Sequence, residues 1–184
     1  ETDLLESSAL SDPDARYAYR CFSVARAGSG PTTATRFSPD GAQLAAASSD
    51  GSVYVFDVGL DGLRRARRCA GHGSAVVSID WSPDSAVIRA TDARREILHH
   101  DSRTGRLAVA DFRDAEWATW TAPIGFQAMG VWDKKHLGSG FDVNAVDLDA
   151  GSRRLLAAGD DFGRVRLLRY PCVVPGAPGK DQIE

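Results

Sequence analysis

Residues 36–58, RFSPDGAQLAAASSDGSVYVFDV, align with residues 80–102, DWSPDSAVIRATDARREILHHDS, so that their Ser-Pro-Asp turns begin 44 residues apart at Ser38 and Ser82. A third stretch, residues 147–171, DLDAGSRRLLAAGDDFGRVRLLRYP, keeps the order of turn, small apolar strand, Asp-containing turn and alternating strand. A period of this size marks one supersecondary unit used repeatedly. Within the first copy, Pro39 fixes φ at the second turn position while Ser38 and Asp40 can bond the local backbone, and Asp50-Gly51 makes a second, tighter turn. The segments LAAAS and SVYVFDV are short and rich in Val, Ala and aromatics. That composition, with about ten residues from strand to strand, predicts antiparallel meanders.

Composition sets the outer bounds. A chain of 184 residues that is 43% apolar and 26% charged can build a domain with a core. The first residues, ETDLLESSALSDPD, are acidic, and no long apolar run follows, so neither a membrane span nor a secretory signal is expected. With a native N-terminus, that predicts an intracellular protein with no membrane partner. Cys21, Cys69 and Cys172 form no CxxC pair and suit neither a disulfide framework nor a zinc site. The net charge is −3, and lysine occurs only at Lys134, Lys135 and Lys180. No general polyanion-binding surface, and so no nucleic-acid partner, is implied.

A unit of about 43 residues, with Gly71-His72 before its first strand, a tight Asp turn and an aromatic-Asp ending such as Phe56-Asp57, resembles the WD-repeat β-propeller blade. The resemblance implies an all-β fold: an incomplete propeller of about three four-stranded antiparallel blades. Residues 1–30 are expected to supply an N-terminal segment and, at 17–25, the outer strand of a preceding blade. Blades follow at 31–70 and 71–112, the second with a fourth strand at 106–112. An aromatic insertion occupies 113–141, a partial blade 142–171 and a tail or linker 172–184. Three open blades leave flanking faces wet, so further blades of a longer parent chain are expected as partners. In the WD-repeat family the His of Gly-His, the turn Asp and the closing Trp form a buried hydrogen-bonded set. Here Phe56, His100 and Tyr170 stand for that tryptophan, His72 and Asp92 keep their places, and Asp50 and Asp161 mark the other tight turns.

Between the second and third copies the turns at Asp84 and Asp149 lie 65 residues apart, so about twenty residues are inserted. They include EWATWTAPIGFQAMGVW (116–132), which follows neither a two-residue nor a 3.6-residue period. This segment, followed by DVNAV and GDDFGRVRLLRYPC, resembles the second propeller of the echinoderm microtubule-associated protein-like family, from about Arg36 to Cys172. Ala122, Asp133, Gly140-Phe141-Asp142 and His99-His100-Asp101 depart from that pattern. Trp117, Trp120, Phe126 and Trp132 are too costly to leave in water, at about 1.5–3 kcal/mol per large side chain buried. They either plaster a long loop onto the propeller or offer an aromatic platform to a partner.

The stretch LRRARR puts Arg64, Arg65, Arg67 and Arg68 on an outer strand, where two guanidinium groups could meet one acidic surface or where all four simply guard an edge. Lys134 and Lys135, beside Trp132, are candidates of the same kind. No motif of nucleophilic, phosphate-binding or metalloprotease chemistry occurs, so the chain is expected to be non-enzymatic and to need no cofactor. The family resemblance implies a rigid module that binds tubulin or axonemal microtubules, with other axonemal or cytoskeletal proteins as further partners, in the cytoplasmic cytoskeleton or ciliary axoneme. The alternative is a general WD-repeat scaffold for a signalling or trafficking complex.

Overall fold

Turn chemistry and strand alternation together set the order of elements. The computed structural model of the chain describes residues 21–132 and 142–173; the residues before 21, the end of the aromatic insertion and most of the expected tail lie outside them. Strands β1 (Thr32–Phe37), β2 (Gln43–Ser48), β3 (Val53–Gly59) and β4 (Gly62–Cys69) pair as one antiparallel meander in chain order. A second meander holds β5 (Val76–Trp81), β6 (Val87–Asp92) and β7 (Ile97–Asp101). A third holds β8 (Val143–Leu148), β9 (Leu155–Asp160) and β10 (Val165–Arg169). These are three blades of an incomplete β-propeller.

The first two blades are closed by the same turn. Ser38 Oγ accepts from the Gln43 amide at 2.9 Å and donates to Asp40; Ser82 Oγ accepts from the Val87 amide at 2.8 Å and donates to Asp84. The third blade has Asp147-Leu148-Asp149 in place of Ser-Pro-Asp; Asp149 accepts from the Gly151 and Ser152 amides, each at 3.0 Å, and from the Ser152 hydroxyl. Each blade's first strand also shifts register near its start, between Thr32 and Ala34, Val76 and Ser78, and Val143 and Ala145. The repeat therefore extends to its bulges.

Strand alternation sends Ala45, Ala47, Val53 and Val55 of the first blade against Val76, Ile79, Trp81, Ile88 and Ala90 of the second, all nearly inaccessible to water. The Trp81 indole donates to the Arg36 carbonyl at 3.1 Å, so the one polar atom brought into this wedge by a tryptophan is satisfied.

Two expectations change. No fourth strand forms at 106–112; only a bridge between His100 and Leu107 marks it. Leu107 and Val109 gain little burial there, at 51% and 99% exposed, and the chain instead turns to lay Phe112 on His99 with ring centroids 4.2 Å apart. Nor is there a strand within 21–25. Ser23 Oγ accepts from the Leu63 amide at 3.0 Å, and Ala25 and Ala27 pack against Ala46, Tyr54 and Phe56. That segment covers one face of the first blade instead of extending a sheet.

Candidate interaction site

Asp80 on β5 and Arg89 on β6 are cross-strand partners, pointing to the face opposite Ile79 and Ala90. Arg89 Nη2 donates to Asp80 Oδ2 at 2.6 Å, with side chains 3% and 1% exposed. A charge pair so enclosed survives only if its remaining atoms find partners. The insertion supplies hydrogen-bond donors to Asp80 and aromatic faces to Arg89, whose Nε stays without a hydrogen-bond partner. Asp80 Oδ1 accepts from the Thr119 hydroxyl and the Thr121 amide, both at 2.8 Å. The Arg89 guanidinium carbon lies 4.8 Å from the ring centre of Trp117 and 3.8 Å from that of Trp120. Burial pulls the Arg89 pKa down from its ordinary value, and the Asp80 carboxylate opposes it.

From that anchor the insertion spans to the third blade. The Ala118 amide donates to the Trp81 carbonyl at 2.7 Å, which holds the loop to β5. On the other side, Arg153 donates to the Trp117 and Ala118 carbonyls and Arg166 donates to the Val131 carbonyl at 2.7 Å. A 3-10 helix over Phe126–Trp132 is tied to Cys172 by two backbone hydrogen bonds, from Gly130 to Cys172 and from Cys172 to Gln127. Trp117, Trp120, Ala128 and Val131 then share one apolar cluster with Val143, Val146, Leu148, Leu156 and Ala158. The Trp120 indole donates to the Ala122 carbonyl at 2.8 Å, so neither end of this ring is wasted. Gly125 permits the closure: its φ is 131°, and a Cβ there would sit 2.7 Å from Trp120.

Phe126 and Trp132 are half-buried at the rim of this wedge. The Arg113 guanidinium lies 4.0 Å over Phe126, and that of Arg95 4.5 Å over Trp132, whose indole donates to the Pro123 carbonyl at 2.6 Å. His99 stacks between Phe112 and Trp117. Burial, helped by the nearby charge of Arg89, pushes its pKa down to about 4. Lys134 and Lys135 lie outside the described residues.

The four arginines of β4 are all engaged within the chain. A register shift between Val55 and Phe56 leaves Ala66 unpaired and brings Arg64 and Arg67 to one face, where both reach Asp57, at 2.9 and 3.1 Å. Arg65 donates to the Ala27 carbonyl at 3.2 Å and lies over Tyr54; Arg68 donates to Ser52 Oγ at 3.0 Å. The Arg64 side chain is nevertheless 82% exposed.

The tight turns use their aspartates differently. Asp50 accepts from Tyr54, Ser29 and the Ser52 amide, and although burial works against ionisation these bonds hold its pKa down at about 2. Asp92 Oδ1 accepts from the Arg94 and Glu96 amides, each at 2.9 Å. In the third blade that part is taken by Asp160, which accepts from the Phe162 and Arg164 amides. Asp161 instead accepts from the Asp142 amide and Asn144, tying the turn to the start of β8. Register also places Leu168, not Tyr170, opposite Leu156, where Phe56 and His100 stand opposite Leu44 and Ile88.

Asp80, Arg89, Arg95 and Arg153 escaped the sequence reading. Register offers a signal for Arg89: it occupies the strand position held by Ala45 in the first blade, and a charge where the sister strand is apolar implies a different neighbour. Arg95 has φ 67° where the other blades carry Gly51 (79°) and Gly163 (70°). Arg153 has φ 54° in the first turn of its blade, where the first blade has Gly41 (72°). Both hold the left-handed conformation that glycine favours, and both side chains bind the insertion.

Comparison with known proteins agrees with this architecture. The family model for the echinoderm microtubule-associated protein second beta-propeller matches residues 16–183. The chain is 41% identical over 145 residues to human echinoderm microtubule-associated protein-like 2, covering 77% of this chain and 22% of that protein. It is 40% identical over 146 residues to the 77 kDa echinoderm microtubule-associated protein of Strongylocentrotus purpuratus, covering 77% and 21%. To echinoderm microtubule-associated protein-like 4 of Xenopus tropicalis it is 38% identical over 148 residues, covering 78% and 16%. The chain thus spans about a fifth of the length of these relatives. Among solved structures, the β-propeller domain of Myceliophteria thermophila Cps50 (Swd1) superposes with a TM-score of 0.55 at 20% identity, over 77% of this chain and 53% of that one. That likeness concerns the fold alone.

Proposed function

We propose, for a chain that belongs to the echinoderm microtubule-associated protein family as part of its second β-propeller, that it is a non-enzymatic segment of a rigid module that binds tubulin. Family membership carries this reading, and the rim strand β4 supports it. Arg64 is held only by an exposed ion pair, worth about 0–1 kcal/mol, so its guanidinium can exchange Asp57 for a carboxylate of an acidic surface at little cost. Arg65 and Arg68 expose their side chains along the same strand. The insertion acts as a wedge that keeps the blades rigid, leaving Trp132 and its neighbours at the rim as the remaining aromatic contact.

The uncovered flank supports the expectation of further blades. Val165 and Leu167 on β10 are 81% and 69% exposed, while Val53 and Val55, at the matching positions of β3, are sealed by the second blade. Another blade of the parent chain packing on β9 and β10 would give the third the cover that the first already has. The cytoplasmic cytoskeleton, including the ciliary axoneme, is the compartment consistent with this reading.

The test is co-sedimentation of the full parent chain with microtubules at rising salt, beside its Arg64→Glu, Arg68→Glu variant. Binding that weakens with salt and weakens further in the variant is the expected result. No binding by the unaltered protein would remove tubulin from the account. A general scaffold is the second reading, favoured by the engagement of all four β4 guanidinium groups within the chain; recovery of a defined protein set without tubulin would select it.

A further inference from the structure

The wedge between the first two blades contains a group of polar side chains that the apolar core does not explain. The side chains of His72 and Asp92 are completely enclosed, yet His72 Nδ1 and Asp92 Oδ2 stand 3.8 Å apart, and no hydrogen-bond partner meets Asp92 Oδ2 or either His72 nitrogen. Both nitrogens of His100 are equally unmatched, with its ring centre 6.1 Å from that of His72. Single unmatched atoms occur elsewhere, as at Ser78 Oγ and Arg36 Nε, but here five such nitrogens and oxygens on three side chains gather in one place, each at the desolvation cost of a buried polar group without a partner. His100 thus adds a second imidazole to the group.

The geometry points to a divalent cation of the zinc class held by His72, Asp92 and Glu96. The three offer one ligand atom each, all within 4.8 Å of one another. Zinc bonds nitrogen and carboxylate oxygen at about 2.0–2.2 Å, which sets its ligand atoms roughly 3–4 Å apart, and the His72 to Asp92 separation already falls in that range. An imidazole with two carboxylates suits zinc and its neighbours better than calcium or magnesium, which take oxygen ligands. Asp92 is prepared for one metal bond: its Oδ1 is occupied by the Arg94 and Glu96 amides, leaving Oδ2 to face His72. Those bonds, with the Asp92 amide donating to the Glu96 carbonyl at 3.1 Å, fix the two carboxylate residues on one short turn. Gly71, with φ 134°, delivers His72 to the same place. Glu96 is exposed and gives an ion its path from solvent, and the fourth coordination position is left to water.

The experiment is a zinc chloride titration of the purified full chain after chelator treatment, followed by calorimetry, with anomalous scattering at the zinc edge from crystals grown with the ion. One zinc per chain is expected at the His72, Asp92 and Glu96 side chains. Glu96→Gln, at an exposed position that should not disturb folding, should weaken binding at least about tenfold, and His72→Ala should abolish it. Zinc should also raise the melting temperature of the unaltered chain and not that of Glu96→Gln. Absence of binding, an anomalous peak elsewhere, a water molecule alone between the three side chains, or an affinity indifferent to Glu96→Gln would each overturn the assignment. Neither outcome bears on tubulin binding, which rests on other residues.

Discussion

The two wedges between successive blades are closed by different means although the blades repeat the same strands. Between the first and second, aliphatic side chains of two sheets meet directly, and Ala45 and Val55 are covered by the neighbouring strand. Between the second and third, the matching positions are Arg89 and His99, and the space is filled by an inserted loop carrying Trp117 and Trp120. A direct contact needs apolar residues on both faces, here Ala and Val of the first blade against Ile79, Trp81 and Ile88 of the second. A filled one tolerates a buried charge pair because the filler brings hydrogen-bond donors and aromatic faces with it. The insertion is thus a structural member whose cost in chain length is offset by the area it buries.

The strongest way to break this contrast is Asp80→Ala. It leaves the Arg89 charge enclosed and strips Thr119 and Thr121 of their acceptor, so a loss of about 3–5 kcal/mol is expected from urea unfolding of the full chain. An Asp80 contribution below about 1 kcal/mol would mean that the loop does not depend on the pair.

Acid should act next. Burial, with Arg89 for His99 and with His72 for His100, lowers both imidazoles to about 4. An unfolded histidine titrates near 6.5, so between about 6.5 and 4 the unfolded chain binds more protons. Stability should therefore be complete above that window and fall as pH drops through it. A flat profile of urea midpoint against pH over this range would contradict the burial of these rings.

Smaller effects sharpen the comparison. Arg153→Ala removes two hydrogen bonds to the insertion without changing the first wedge, and should cost about 1–2 kcal/mol. The tight turns give the finest contrast. Gly51→Ala in the first blade forces a left-handed φ of 79° on a side chain whose Cβ would lie 2.8 Å from the His72 carbonyl, at an expected cost of about 1–2 kcal/mol. Arg95→Gly in the second relieves the corresponding strain while losing the Asp142 ion pair and the contact with Trp132, so melting should shift by little in either direction.

The first two blades were legible in the sequence because Ser-Pro-Asp turns and two-residue alternation are local signals. The strand bounds of β1 to β7 follow from them closely. The third turn was placed by order alone, since its hydroxyl comes from Ser152, after Asp149, and not from a serine before it as in Ser38-Pro39-Asp40. The missing fourth strand of the second blade was not legible: Leu107 and Val109 alternate correctly, but Leu107 is only half covered and Val109 stays in solvent. The Asp80 and Arg89 pair stayed hidden because its meaning depends on Thr119, Trp120 and Thr121, some thirty to forty residues away. That the insertion carries tryptophans was evident; that they enclose a guanidinium was not.

Amide hydrogen exchange at Ala118 and Thr121 tests the filled wedge most directly, since their N–H groups donate to Trp81 and Asp80. If the loop is a built part of the propeller, both amides should exchange as slowly as those of β6. Exchange at the rate of a solvated loop, with β6 still protected, would show that the blades hold without it.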